Sequence, residues 1–243
     1  MKKQYINSII EKIEQLRNDN NIEAAAQLLA SAIESKRIIY SFGASHAGII
    51  TEETVYRAGG LAVINPIFDK NLMLDVKPIT KTSQIENLPQ YGTIIAQNVG
   101  FKEGDVLITH SVSGRNAVMI DLALHAKACG VQIIAITNLA YSQSVASKHE
   151  SKKRLFELAD VVIDNHGDIG DATVSINGLP QKVAPTSTVI GAAIVNCIVV
   201  EVANILHSKG IEPPIFFSAN LDGTAEANEL LFKKYAGQIK YMQ

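Results

Sequence analysis

Apolar residues recur at helical spacing in the first part of the chain. Five of them fall on one side of a helix near the N-terminus: Ile6, Ile9, Ile10, Ile13 and Leu16. The sequence predicts helices over 3–19 and 23–36, separated by an Asn/Asp-rich break in which Asn21 caps the second helix. The first helix is amphipathic and not continuously apolar, so we do not expect a secretory signal peptide.

From Arg37 onwards, apolar β-branched runs alternate with helical stretches. Strands are predicted at 37–42, 61–64, 106–109, 132–137 and 161–164, and helices near 47–58, 91–99 and 116–128. Apolar strands separated by helices are typical of a parallel sheet that is covered on both faces. The pattern therefore predicts an α/β fold, in which ligands bind at the carboxyl ends of the strands.

Two segments depart from this alternation. Residues 65–89 are polar, contain three prolines and form a connection long enough to be a lid or a binding segment. Residues 189–206 are almost wholly apolar and about long enough to span a bilayer. Their Asn196 and Glu201, and the Thr-Ser-Thr start at 186–188, favour a helix buried within protein instead. We therefore expect no membrane partner.

Composition narrows the range of partners. The 243 residues are 47% hydrophobic and 19% charged, with a formal net charge of −2, which is typical of a globular domain. The basic run at 152–154 is flanked by glutamates, so no nucleic-acid partner is predicted. Two cysteines provide no disulfide framework, which indicates a reducing compartment, and the predicted location is the cytoplasm.

The first candidate site is the turn after the first predicted strand. It reads Gly43-x-Ser45-x-x-Gly48 and leads into a helix. Backbone N–H groups and the positive end of the helix dipole meet at such a turn and favour an anion. Ser45 stands where the dinucleotide fingerprint has its second glycine, so it blocks a pyrophosphate but can donate a hydroxyl to a smaller phosphate. No nicotinamide cofactor is therefore expected.

The same arrangement recurs after the third predicted strand. This turn supplies the hydroxyls of Ser111 and Ser113, then Gly114, Arg115 and Asn116 at a helix start. Gly114 permits a backbone angle that other residues rarely adopt, and Arg115 would add a charge-assisted contact to an anion. Two hydroxyl-rich anion turns in one α/β chain predict a phosphorylated small molecule as the ligand.

These turns resemble the sugar isomerase (SIS) domain family, the phosphosugar-binding fold. The matching segments are FGAS at 42–45, SVSGRN at 111–116, IIAITN at 133–138, ADVVID at 159–164 and the TST start at 186–188. The resemblance implies a three-layer αβα sandwich with a five-stranded parallel sheet and an N-terminal helical extension. It also implies a homodimer or homotetramer. By the same resemblance, Ser45, Ser111, Ser113 and the turn Thr186-Ser187-Thr188 hold the phosphate and the sugar hydroxyls.

Within this family, the tail SANLDG at 218–223 is most similar to an uncharacterised sugar-phosphate isomerase branch, and phosphoheptose isomerases are more distant. Phosphoheptose isomerases carry an acid ten residues past the first-turn serine, where this chain has Val55. They also carry an acid and a histidine where this chain has the apolar run 189–193. The resemblance divides the chain into N-terminal helices at 1–30, with an oligomer interface, a SIS domain at 31–212, and a C-terminal turn and helix at 213–243.

The groups that would transfer protons are less clearly marked. Aldose–ketose isomerisation needs a base that moves a proton between adjacent carbons and an acid that opens the ring. Glu53 on the first helix of the α/β part shares a face with His46, whereas Glu52 is rotated by about 100°. Glu226 in the tail is a further candidate acid. The acidic residues around His166 have no metal-ligand spacing, so no metal is expected.

The sequence therefore predicts a cytoplasmic enzyme that isomerises a sugar phosphate through an enediol without a cofactor. His46 is its candidate acid or phosphate contact, because histidine titrates near neutrality. Two alternatives stay open: a lyase or etherase acting on amino-sugar phosphates, and a non-catalytic sensor of a sugar phosphate. The departures from phosphoheptose isomerases favour the sensor, and the lack of a visible DNA-binding extension counts against it.

Overall fold

The computed structural model describes residues 1–242 and contains a five-stranded, all-parallel sheet. The strands are β1 (Ile39–Gly43), β2 (Ile64–Pro66), β3 (Val106–His110), β4 (Gln132–Thr137) and β5 (Val161–Asp164). They lie in the order β2-β1-β3-β4-β5. The predicted α/β class and the parallel sheet are confirmed.

The helices cover both faces of this sheet. They are α1 (Lys2–Leu16), α2 (Asn20–Glu34), α3 (Gly48–Thr54), α4 (Thr80–Ile85), α5 (Tyr91–Val99), α6 (Ala117–Ala128), α7 (Leu139–Ser144), α8 (Ser187–Ser208) and α9 (Ala225–Lys234). A small antiparallel hairpin, β6 (Ala172–Val174) and β7 (Val183–Pro185), lies between β5 and α8. The three-layer αβα arrangement follows from these placements.

Three local predictions need correction. β2 begins at Ile64 and not at residue 61, because Leu61 forms an antiparallel bridge with Ile215 in the tail. α3 ends at Thr54, since Val55 takes an extended conformation. The cap of α2 is Asp19, whose carboxylate accepts the backbone N–H of Asn21, so Asn21 is inside the helix and not its cap.

One face of the sheet is covered by α2 and α8. The packed side of α2 is largely alanine, and small side chains let two helices approach closely; its buried residues include Ala25, Ala26, Leu29 and Ala30. The buried face of α8 carries apolar side chains at helical spacing: Ile190, Ile194, Ile198, Val202 and Leu206. Both helices belong to one hydrophobic cluster with β1 and β3.

Within residues 1–242, α8 is the one helix whose length and apolarity would suffice to cross a membrane. Such a helix is also what the core of an α/β domain requires. One face of α8 is packed in the core, whereas Val200 on the other face is 64% exposed.

The opposite face of the sheet is covered by α5 and α6. Gly92 in α5 lies directly against the backbone carbonyl of Val118 in α6, where a Cβ atom would have no room. Val118, Ile120 and Leu122 are buried with Phe42 of β1. This contact fixes the start of α5 against the start of α6, and both are next to the carboxyl edge of the sheet.

The C-terminal segment closes the β2 edge. The amide of Asn65 donates to the carbonyls of Ile39, Val63 and Gln238 at 2.8–3.1 Å. The Tyr241 hydroxyl donates to the Ala62 carbonyl at 2.7 Å. An exposed edge strand has unpaired backbone groups; here the tail covers that edge through the Asn65 side chain and the Ala62 carbonyl.

Truncating the core under α2 is expected to destabilise the protein strongly. Leu29 is fully buried, so Leu29→Ala should lower the free energy of unfolding by about 2–5 kcal/mol, measured by urea denaturation. Ile10→Ala is the matched control: Ile10 is 52% exposed on α1, and its truncation should change the same quantity by less than about 0.5 kcal/mol. Equal losses in the two variants would contradict this assignment of the core.

Candidate functional site

The candidate site lies where β1 and β3 end side by side. The two strands are paired in parallel, with Gly43 opposite His110. Both turns that follow therefore open at the same edge of the sheet. They line a cavity of about 450 Å³, the serine cavity, together with the segment that contains α4. Its polar lining residues are Ser45, His46, Thr80, Thr82, Ser83, Glu86, His110, Ser111, Ser113 and Asn116.

The first turn is tightly folded. A Cβ atom on Gly43 would clash with the backbone of Ala47, so only glycine fits at that position. Ser45 has a positive φ of 51°, a conformation uncommon for residues other than glycine. Its hydroxyl donates to the carboxylate of Glu86. The turn thus directs Ser45 into the cavity, and Gly43 supports it from behind.

The second turn is braced by the segment that precedes β5. Gly114 has a φ of 57°, and a Cβ atom there would lie 2.9 Å from the hydroxyl oxygen of Ser142. Its carbonyl accepts the N–H of Leu155 at 2.8 Å, and the carbonyl of Arg115 accepts the N–H of Lys148 at 2.9 Å. These backbone contacts hold the turn with Ser111 and Ser113 facing the cavity.

Glu86 is the site residue that sequence reasoning missed. It follows α4, and one carboxylate oxygen accepts from the Ser45 hydroxyl while the other accepts from the Asn116 amide. Its backbone carbonyl accepts the N–H of Val118 at 3.1 Å. The one signal in the sequence was the long connection 65–89. Its polar, aperiodic character indicated a binding segment but did not single out a residue.

His110 lies behind the two turns and joins them. Its Nδ1 is 3.2 Å from the carbonyl of Ala47; since a carbonyl only accepts, Nδ1 carries the proton. Its Nε2 is buried and has no hydrogen-bond partner within residues 1–242. Burial lowers the pKa of His110, and the Ala47 carbonyl and the charge of Asp171 act in the opposite direction. The ring is therefore neutral at neutral pH.

The Thr-rich turn at the start of α8 is occupied by a side chain of the protein itself. The Asp171 carboxylate accepts the N–H groups of Thr186 and Ser187 at 3.2 and 2.9 Å and the Ser187 hydroxyl at 2.6 Å. A carboxylate at a helix N-terminus satisfies the donors that an anion would otherwise use. Thr186, Ser187 and Thr188 do not line the serine cavity.

The other predicted residues lie outside the cavity lining. Glu52 is exposed, and Glu53 is paired with Arg57 and accepts from the Asn196 amide of α8 at 3.0 Å. Arg115 is half-buried at the end of the second turn and is not among the lining residues. Glu226 is exposed in the first turn of α9. Of the three predicted catalytic candidates, the structure brings only His46 to the cavity.

Comparison with known proteins agrees with this fold. Residues 4–138 match the model of the SIS domain, and the chain therefore belongs to the SIS domain family. It is also 51% identical to a UPF0309 protein of Oceanobacillus iheyensis over 99% of this chain and 98% of that protein.

Two solved structures share the architecture. A phosphoheptose isomerase from Francisella tularensis matches with a TM-score of 0.53 at 15% identity, over 83% of this chain and 96% of that one. The Vibrio vulnificus NanR protein complexed with ManNAc-6P matches with a TM-score of 0.52 at 13% identity, over 95% of this chain and 68% of that one. At these identities the likeness establishes the fold alone.

The buried His110 should make stability depend on pH. Because its pKa is lowered in the folded state, the unfolded chain binds a proton that the folded chain excludes. The free energy of unfolding should therefore fall as pH drops below about 6.5. Urea unfolding from about pH 7.5 to 5.5 should show a smaller fall for His110→Gln than for the wild type. Parallel profiles for the two proteins would contradict this origin of the pH dependence.

Proposed function

We propose that the serine cavity binds a sugar phosphate and that the protein isomerises it between aldose and ketose forms. The observation that carries the proposal is the meeting of two serine turns with one carboxylate, Glu86, in the same cavity. Membership of the SIS domain family supports phosphosugar binding. The phosphoheptose isomerase with this fold supports isomerisation as the reaction class.

The second turn is suited to the phosphate. Ser111 and Ser113 supply hydroxyl donors, and the backbone before α6 supplies N–H groups at the positive end of a helix dipole. Glu86 lies on the Ser45 and Asn116 side of the cavity. Two negative groups repel each other in a partly buried site. A bound phosphate therefore belongs near Ser111 and Ser113, with the sugar chain directed toward Glu86.

Glu86 then has the position of the proton-transferring base. In the proposed reaction, its carboxylate takes the proton from the carbon next to the carbonyl and returns it to the former carbonyl carbon. The hydroxyl proton moves to the carbonyl oxygen, so that the enediol forms and collapses without any net change in atoms. His46 is exposed at the mouth of the cavity, where a histidine can protonate the ring oxygen and open a cyclic sugar.

A sugar-phosphate sensor is the second candidate, and one observation favours it. Both oxygens of Glu86 are engaged by donors of the two turns, Ser45 and Asn116. These are the donors that a ligand would use, so binding would exchange an internal carboxylate for an external ligand. A protein that uses this exchange only to detect the ligand binds the sugar phosphate and leaves it unchanged.

Removing one hydroxyl of the second turn should weaken binding of the ligand. Ser113→Ala should reduce the affinity for a bound sugar phosphate by about 1–3 kcal/mol if the hydroxyl is buried against it. The affinity is measured by calorimetry with a hexose or pentose phosphate found by thermal shift. Ser208→Ala, at the exposed end of α8, is the control and should bind as the wild type does. An unchanged affinity in Ser113→Ala would remove Ser113 from the site.

Neutralising Glu86 should separate turnover from binding. Glu86→Gln keeps the size of the side chain but removes the base, so turnover should fall about 10²–10⁴-fold while the sugar phosphate still binds. NMR measures turnover through the conversion of the aldose signals into the ketose signals. Glu226→Gln and Glu53→Gln are matched controls outside the cavity and should remain active. Wild-type protein that binds a sugar phosphate but does not interconvert its aldose and ketose forms would establish the sensor instead of the isomerase.

A further inference from the structure

A second cavity, of about 880 Å³, lies away from the serine turns. One wall is formed by α5, and the other by the C-terminal segment 237–241 beside the short edge strand β2. Its volume is within the range of about 300–1,000 Å³ that is common for small-molecule sites. It shares no lining residue with the serine cavity.

Positive charge is in excess in this cavity. Four cationic side chains line it: Lys36, Arg37, Lys102 and Lys240. None of them forms an ion pair with a carboxylate within residues 1–242. The chain as a whole has a formal net charge of −2, so this concentration of free cations is a local feature that favours an anionic ligand.

The two carboxylates that line the cavity are already engaged by other groups. Asp105 accepts the N–H groups of Ile38 and Lys102, both at 2.9 Å. Asp69 accepts the Tyr91 hydroxyl at 2.9 Å and the N–H of Asn71 at 2.8 Å. Neither carboxylate forms an ion pair with the four cations, whose charge is therefore available to a ligand.

Two of the cations and two of the aromatic residues lie at different ends. Asp105 binds the backbones of Ile38 and Lys102, so it brings Arg37 and Lys102 together at the C-terminal end of α5. The opposite end holds Phe68, which is 50% exposed, and Tyr91 at the start of α5. Nine helical residues separate the two ends, a distance of about 13 Å at ~1.5 Å per residue.

Between the ends, Tyr40 offers a neutral donor. Burial, with a smaller contribution from the charge of Asp105, raises the pKa of Tyr40 to about 12, so its hydroxyl keeps its proton. That hydroxyl has no hydrogen-bond partner within the described chain, although the ring packs edge-on against Phe101 at 5.1 Å. Ile94, which is 54% exposed, adds apolar surface on the α5 wall.

We propose that this cavity is a second ligand site and that it binds a nucleotide. The phosphates lie against Arg37 and Lys102, with Lys36 and Lys240 at the rim, and the planar base packs on Phe68 and Ile94. A nucleotide matches the site because it joins an anionic group to a flat ring over a comparable length. Aromatic and apolar surfaces accept bases without selecting one strongly, so the assignment concerns nucleotides as a class.

The test is calorimetry on the full chain with three probes: ATP, tripolyphosphate and adenosine. ATP should bind, and both other probes should bind more weakly, because each has only one of the two recognised parts. Lys102→Glu and Arg37→Glu should each lower the affinity for ATP at least about tenfold, since a charge-assisted contact contributes about 1.5–3 kcal/mol. Lys3→Glu makes the same charge change on exposed α1, outside the cavity, and should leave ATP affinity near that of the wild type.

Phe68→Ala tests the base-binding end of the cavity apart from the phosphate-binding end. It should lower the affinity for ATP and leave the affinity for tripolyphosphate unchanged. The proposal is overturned if ATP does not bind the wild type, if Lys102→Glu binds ATP equally well, or if tripolyphosphate binds as tightly as ATP. It is also overturned if Ser113→Ala abolishes ATP binding, which would place ATP in the serine cavity. A dimer that Phe68→Ala dissociates would assign this face to a second copy of the chain and overturn the proposal.

Discussion

The parallel pairing of β1 with β3 is the constraint on which the site depends. The register places Gly43 opposite His110 at the carboxyl edge, and a slip of one residue would exchange the faces of every side chain on a strand. Asp105 fixes the same register at the other end, because it accepts backbone N–H groups on both sides of the pair, from Ile38 and Lys102. Once that register is set, the two serine turns open next to each other.

Buried hydrogen-bond donors need an acceptor, and two carboxylates of this chain serve the donors at the start of α8 and at the serine turns. Asp171 fills the start of α8 and contacts two backbone N–H groups and one hydroxyl. The Glu86 carboxylate contacts only side chains, Ser45 and Asn116, beside an open cavity. Side-chain donors can reorient toward a ligand more readily than a backbone can. The same electrostatic need is thus met by a structural contact at α8 and by an exchangeable one at the serine turns.

Contiguous apolar runs made much of the fold predictable. β4, β5 and α5 have the predicted bounds, 132–137, 161–164 and 91–99. The bounds of β2 and α3 differ from the predicted ones. Leu61 forms a bridge with Ile215 of the tail, and Val55 adopts an extended conformation. These are effects of distant chain segments and of local geometry, and the hydrophobic pattern contains neither.

The residues of the candidate site, too, were predictable only in part from the sequence. The serine turns are continuous in sequence and follow predicted strands, so their common edge could be inferred. Glu86 reaches the cavity only because its carbonyl binds the Val118 N–H and because Gly92 lets α5 lie close against α6. Asp171, likewise, meets Ser187 from another element. Contacts between distant segments leave no periodic signal, and for that reason both carboxylates were missed.

The connection that carries Glu86 is tied at both ends. The Tyr91 hydroxyl contacts both oxygens of Asp69, at 3.1 and 2.9 Å, so α5 begins beside the point at which the chain leaves β2. Within this closed excursion, Leu72 is buried in the core and the Glu86 carbonyl accepts the Val118 N–H, whereas Ile79 and Leu88 are exposed. In evolutionary terms, exposed positions of the excursion that line the serine cavity, such as Ile79, can change the shape of the cavity while the two serine turns stay fixed on the sheet.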